Sequence, residues 1–131
     1  MKKQFLPYEE ALALKELGFD EEVLAWYNGD KDFVYPLRIT IDGEKPTKNS
    51  DFKIGYGGFA FLATPLYQQA FKWFRDKHKL PSWVYESIGK FYFKIVKGDF
   101  WVQHQGTIFN SYEEAELACI RELIKIVKDG K

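Results

Sequence analysis

Two alternating runs, Phe91–Lys97 and Phe100–Gln105, flank Gly98-Asp99, and no other stretch restricts the fold as strongly. A two-residue link with glycine first suits an antiparallel hairpin, because its backbone follows the twist of the strands it joins. The turn also sets the register. Ile95 faces Val102 and Phe93 faces His104 on one side, while Val96 meets Trp101, Lys94 meets Gln103 and Tyr92 meets Gln105 on the other. A chain built around this pair contains an antiparallel sheet, and the sheet's apolar face needs helices to cover it.

Three helices are expected. Tyr8–Leu17 has Pro7 at its start, Glu9 and Glu10 at its positive end and Gly18 to close it. The second begins with Thr64 as N-cap and Pro65 as first residue, and ends at Pro81. On it, Leu66, Tyr67, Ala70, Phe71, Trp73, Phe74 and Leu80 fall on one half of the cylinder, opposite Gln68, Lys72, Arg75 and Lys79. The third opens on the capping box Ser111-Tyr112-Glu113-Glu114 and runs to about Lys128. Its apolar face holds Tyr112, Leu117, Cys119, Ile120, Leu123, Ile124, Ile126 and Val127. Earlier strands are read at Glu22–Tyr27 and Phe33–Ile41, joined through Asn28-Gly29, and at Phe52–Tyr56 before Gly57-Gly58. The expected order is α-β-β-β-α-β-β-α. This is an α+β fold with one antiparallel sheet of about four to five strands, its helices mainly on one face, in a single domain over 1–131.

Composition narrows the function. The chain carries 19 Lys and Arg against 19 Asp and Glu, a net charge of zero. The charge is segregated: residues 1–30 carry −4, 31–110 carry +5 and 111–131 carry −1. Zero net charge argues against duplex nucleic acid, whose binding grows with the number of phosphates neutralised. One cysteine, Cys119, builds neither a disulfide framework nor a cysteine zinc site. There is no signal-peptide pattern and no apolar run of membrane-spanning length, so a cytoplasmic location is expected. Aromatic residues reach 18%, more than a small core absorbs, so rings are expected at the surface.

Tests for known chemistry fail on context. Gly55-Tyr56-Gly57-Gly58-Phe59-Ala60 matches G-x-G-x-x-A, but the dinucleotide fingerprint needs a helix to open at those glycines within a parallel βαβ unit. His78 and His104 have no metal-ligand spacing. Cys119 sits in the middle of an apolar helix face, where a thiol is a small core residue. Asp30-Lys31-Asp32 lacks the glycine and glutamate of a calcium loop. No catalytic residue, metal or cofactor is assigned.

A physical constellation remains. Lys72, Arg75 and Lys79 line one helix face, and Trp83, Tyr85, Lys90, Tyr92, Lys94, Trp101 and Gln103 lie on nearby loop and strand positions. Interleaved rings and cations stack bases and neutralise phosphates. The candidate ligand-binding residues are Lys72, Arg75, Lys79, Tyr92, Lys94, Trp101 and Gln103.

Three stretches, Phe5 to Asp20, Ala63 to Arg75 and Tyr112 to Cys119, carry a resemblance. Together they resemble a widespread family of small accessory proteins encoded by tailed phages and prophages of gut bacteria, most specifically through Pro65-Leu66-Tyr67-Gln68-Gln69-Ala70-Phe71. The resemblance implies a context, the bacterial cytoplasm, and action by binding. It carries over no activity, cofactor or site residue. The expected function is therefore a non-enzymatic accessory protein that binds a host protein. The first alternative is a small-molecule binder that sequesters a nucleotide on the basic, aromatic surface, and the second is an enzyme built on His104. An exposed hairpin edge also admits a homodimer.

Overall fold

The computed structural model describes residues 2–34, 48–49, 62–103 and 108–130, with the backbone alone at 100–103. The chain divides into two units, Met1–Leu66 and Tyr67–Lys131. Helices and antiparallel sheets are both present, which makes the fold α+β. Among the described residues the strands fall into two sheets of three strands each, not one.

In the first unit, a 3-10 turn at Lys2–Gln4 precedes α1, Tyr8–Glu16. Gly18 closes α1 as the sequence indicates, with φ 99°. Its amide donates to the Lys15 carbonyl and that of Phe19 to the Leu14 carbonyl, the paired bonds of a Schellman ending. Phe19 and Leu14, the two side chains such an ending brings together, are both buried.

Strand β1 (Ala25–Tyr27) lies between β2 (Phe33–Val34) and β3 (Leu62–Thr64). The β1–β2 connection is not a two-residue Asn-Gly turn. Tyr27 pairs with Phe33, which leaves five residues between the strands. Asn28 Oδ1 accepts from the amides of Asp30 and Asp32, and Lys31 takes the positive φ of 64°. Asn28 thus shapes the loop through its side chain. The expected strand Phe52–Tyr56 and most of Phe33–Ile41 lie outside the described residues, as do Gly55–Ala60 and His104.

Thr64 is not a helix cap. It lies in β3, fully buried, and its hydroxyl donates to the Leu6 carbonyl at 2.8 Å. The Tyr27 hydroxyl donates to the same oxygen at 2.8 Å, and the Leu6 amide donates to the Pro65 carbonyl. Tertiary hydrogen bonding has claimed the hydroxyl that local pattern assigns to a cap, so the helix starts later, at Tyr67.

In the second unit, α2 spans Tyr67–His78 and α3 spans Tyr112–Asp129. The sheet is ordered β4-β5-β6, formed by Ser82–Ser87, Lys90–Lys97 and Phe100–Gln103. The β5–β6 register matches the sequence reading over the described pairs: Lys94 with Gln103, Ile95 with Val102 and Val96 with Trp101. Gly98 supplies the positive φ, 59°. The pairs involving His104 and Gln105 lie outside the described residues. Strand β4 was not visible in the pattern and places Trp83 and Tyr85 on a strand instead of a loop.

Helix α3 packs on β4 and β5 over the face that buries Phe93 and Ile95. Ser111 caps it by accepting from the Glu114 amide at 3.2 Å. The Glu114 carboxylate reaches back one residue further than a standard capping box and accepts from the Asn110 amide. The thiol of Cys119 is wholly buried in this core.

The β4–β5 turn holds a strained residue. Ile88 and Gly89 both have positive φ, 51° and 72°, as a type I′ turn demands. A β-branched side chain is a poor occupant of that region, and Ile88 is 99% exposed, so no packing offsets the cost. Ile88→Asn is expected to stabilise the protein by about 1 kcal/mol. Urea unfolding of the two proteins checks this, and an unchanged midpoint would refute the strain argument.

Candidate functional site

The polar stripe of α2 turns out to be one wall of a cleft. Gln68, Lys72 and Arg75 recur at helical spacing along that stripe, and half-buried Phe71 sits beside them. The second wall is the segment from Pro81 to Val84, and Tyr112 at the start of α3 closes the third side. The cavity measures about 410 Å³. That is the lower part of the range for small-molecule pockets, about 300–1,000 Å³.

The lining separates charge from ring. Lys72 and Arg75 are three residues apart on one helix, so their side chains emerge as neighbours. Arg75 Nε lies 3.5 Å from Asp76 Oδ1, with both side chains more than half exposed. An ion pair so open to water is weak and yields readily to a ligand anion. No Asp or Glu is among the lining residues described.

Trp83, also in the lining, is 45% exposed. Lys94, its cross-strand neighbour, places Nζ 5.8 Å from the indole centroid. Tyr112 is 40% exposed and sets its ring edge-on to Phe91, 6.3 Å away. Burial and the nearby Glu116 charge raise the Tyr112 pKa, and a hydrogen bond with Gln68 offsets part of that.

Three further polar groups bear on the site: Ser82 in the lining itself, and Cys119 and Glu116 on α3. Ser82 Oγ is buried, with no well-formed hydrogen bond. The Cys119 thiol feels the Ser82 hydroxyl as a polar neighbour, but burial dominates and pushes the thiol up to about 12. A thiol so firmly protonated is not a nucleophile at neutral pH. Glu116, one helical turn beyond Tyr112, is 8% exposed. Burial, and after it the Glu113 charge, raises its carboxyl to about 7.

The seven residues singled out in the sequence separate into three groups. Lys72 and Arg75 line the cleft. Tyr92 and Lys94 lie on β5, Tyr92 stacked on Tyr85 and Lys94 against Trp83, and the register sets Trp101 opposite Val96 and Gln103 opposite Lys94. Lys79 follows α2 with φ 57°, turns its Nζ back to the Asp76 carbonyl and is not in the lining.

The sequence did not place Gln68, Phe71 and Tyr112 at the site or Glu116 near it, and it placed Trp83 in the wider ring-and-cation constellation but not among the ligand-binding residues. The signals were present: Gln68 belongs to the cationic stripe, and Glu116 interrupts the buried stripe of α3 between Ala115 and Cys119.

Among the described residues no group of His, Cys, Asp and Glu could hold a metal ion, and no helix is long and apolar enough to cross a membrane. Comparison with protein-family models, curated proteins and solved structures finds no match.

Proposed function

We propose that this protein binds a small planar anion of the nucleotide class in the α2–β4 cleft. The observation that carries the reading is the cleft itself, a concave site with two cations on one wall, an exposed indole on another and no carboxylate among its described lining. A phosphate between Lys72 and Arg75 would gain charge-assisted hydrogen bonds, and a base would stack on Trp83. The reading is one of binding, in the manner of the phage-encoded accessory proteins that the sequence resembles, inside a bacterial cell.

Nucleoside monophosphates titrated into the protein are expected to quench tryptophan fluorescence and to raise the melting temperature. The double variant Lys72→Ala/Arg75→Ala should weaken binding by about 100-fold or more, since each charged hydrogen bond contributes about 1.5–3 kcal/mol net. Raising salt should weaken the wild type more than the variant. If no nucleotide produces either signal at millimolar concentration, the reading is wrong.

A second reading, docking of a host protein, draws on Ile88, a fully exposed apolar side chain held at a strained turn. Loss of partner capture from host lysate by Ile88→Asn, with the fold intact, would favour it.

A further inference from the structure

We propose that the sheet of the second unit continues the cleft as a stacking platform, and that the ligand is a short single strand of nucleic acid whose terminal nucleotide occupies the cleft. This rests on the nucleotide reading of the cleft and extends it along β4 and β5.

The sheet has two unlike faces. The face under α3 buries Phe93 and Ile95. The alternate positions, which point the other way, hold Trp83 and Tyr85 on β4 and Lys90, Tyr92 and Lys94 on β5. They fall in cross-strand rows: Trp83 beside Lys94, then Tyr85 beside Tyr92, then Ser87 beside Lys90. Tyr85 and Tyr92 form a nearly parallel stack, with centroids 5.5 Å apart and planes at 20°. The first row carries ring and cation at 5.8 Å, and the third ends on an exposed lysine. Successive rows are two residues apart, about 6.8 Å along the strand. That stride lets adjacent bases of an extended strand meet successive ring positions.

Trp83 joins the two parts. Among the described residues β4 is an edge strand, so the cleft runs beside the sheet's border and Trp83 belongs both to its lining and to the platform. Charge agrees with a phosphate backbone. The second unit carries eleven Lys and Arg against eight Asp and Glu, a net +3, whereas the first carries −3. The platform rows hold Lys90 and Lys94 and no carboxylate. Rings supply sequence-tolerant stacking and the lysines supply neutralisation, the combination that suits an unpaired strand. A duplex, its bases already stacked inside, could use the charges and not the rings.

The test is fluorescence titration of the full chain with thymidine phosphates of one, two, four and eight nucleotides, the matching uridine series, and a duplex. Affinity is expected to rise about tenfold per added base over the first two additions and then level off. The tighter series identifies DNA or RNA as the source of the strand. In Tyr85→Ala/Tyr92→Ala the ratio of tetranucleotide to mononucleotide affinity should fall toward one. Lys90→Glu, at an exposed position whose ammonium makes only a long contact to Asn110 Oδ1 at 3.5 Å, should reduce that ratio several-fold and provides the same readout if the tyrosine variant fails to fold. A tetranucleotide that binds no tighter than the mononucleotide, or a duplex that binds as tightly as the single strand, overturns the platform and leaves the cleft reading intact. No binding by any of them overturns both.

Discussion

Glu116→Gln is expected to stabilise the protein by about 2 kcal/mol at pH 8 and to change little at pH 4. The carboxyl is 8% exposed and has its pKa raised from 4.5 to about 7, first by burial and then by the Glu113 charge. The sign follows from where the proton resides. Below pH 4.5 both folded and unfolded chains hold it, and stability is unaffected. Between 4.5 and 7 the unfolded chain releases the proton while the folded chain keeps it, so stability falls as pH rises. Above 7 both are ionised and the folded state carries the full cost of a buried charge. A shift of this size corresponds to roughly 3 kcal/mol, and relaxation around the charge reduces it. Glutamine has no proton to lose and escapes the penalty. Urea unfolding of both proteins at pH 4, 6 and 8 checks this, and a difference in stability that is the same at all three values would sink it. The same protonation matters to the cleft. Below about pH 7 Glu116 is neutral, so its own charge would not oppose an anion in the cleft under the proposed reading.

Glu116 also shows where sequence reasoning stops. The capping box and the apolar stripe of α3 are local patterns, and they locate the helix well. A carboxylate inside the stripe can be read off the spacing, but what burial does to it depends on the elements packed there. The β5–β6 hairpin is legible for the same reason that α3 is: a two-residue turn fixes the register, and alternation fixes the faces. Strand β4 is not, because Ser82, Glu86 and Ser87 dilute its alternation and its turn uses Ile88, a residue that turn chemistry disfavours. Without β4 the cleft has no second wall, and Trp83 is only a ring in a loop. Lys72 and Arg75 could therefore be assigned from the polar stripe of α2, while Trp83 could be named only as a nearby ring and not as part of a cleft. The sheet was divided for a similar reason. The pattern indicates antiparallel strands but not which ones share hydrogen bonds, and β1 takes β3 as its second partner from far along the chain.

The largest loss of stability is expected in the first unit, from Tyr27→Phe combined with Thr64→Val. Each substitution alone should cost about 1 kcal/mol, the net worth of one hydrogen bond, and together they should cost about 3–4. The excess comes from their shared acceptor. Both hydroxyls donate to the Leu6 carbonyl at 2.8 Å, and Tyr27, Thr64 and Leu6 are all buried. A carbonyl oxygen has two lone pairs. When one donor is removed the other still satisfies it, but when both go the oxygen is orphaned away from water, which costs about 1–2 kcal/mol more. The site lies where three segments meet. Leu6 belongs to the stretch before α1, Tyr27 ends β1 and Thr64 ends β3, while the Leu6 amide donates to the Pro65 carbonyl and Phe5 bridges to Leu66. One backbone oxygen thus ties the N-terminal segment to two strands of its sheet. Denaturant unfolding of the wild type, both single variants and the double variant measures the coupling, which should reach about 1–2 kcal/mol. Additive losses would mean that water or a rearranged backbone satisfies the Leu6 carbonyl once its donors are gone, and that the two hydroxyls do not act together in holding the N-terminal segment.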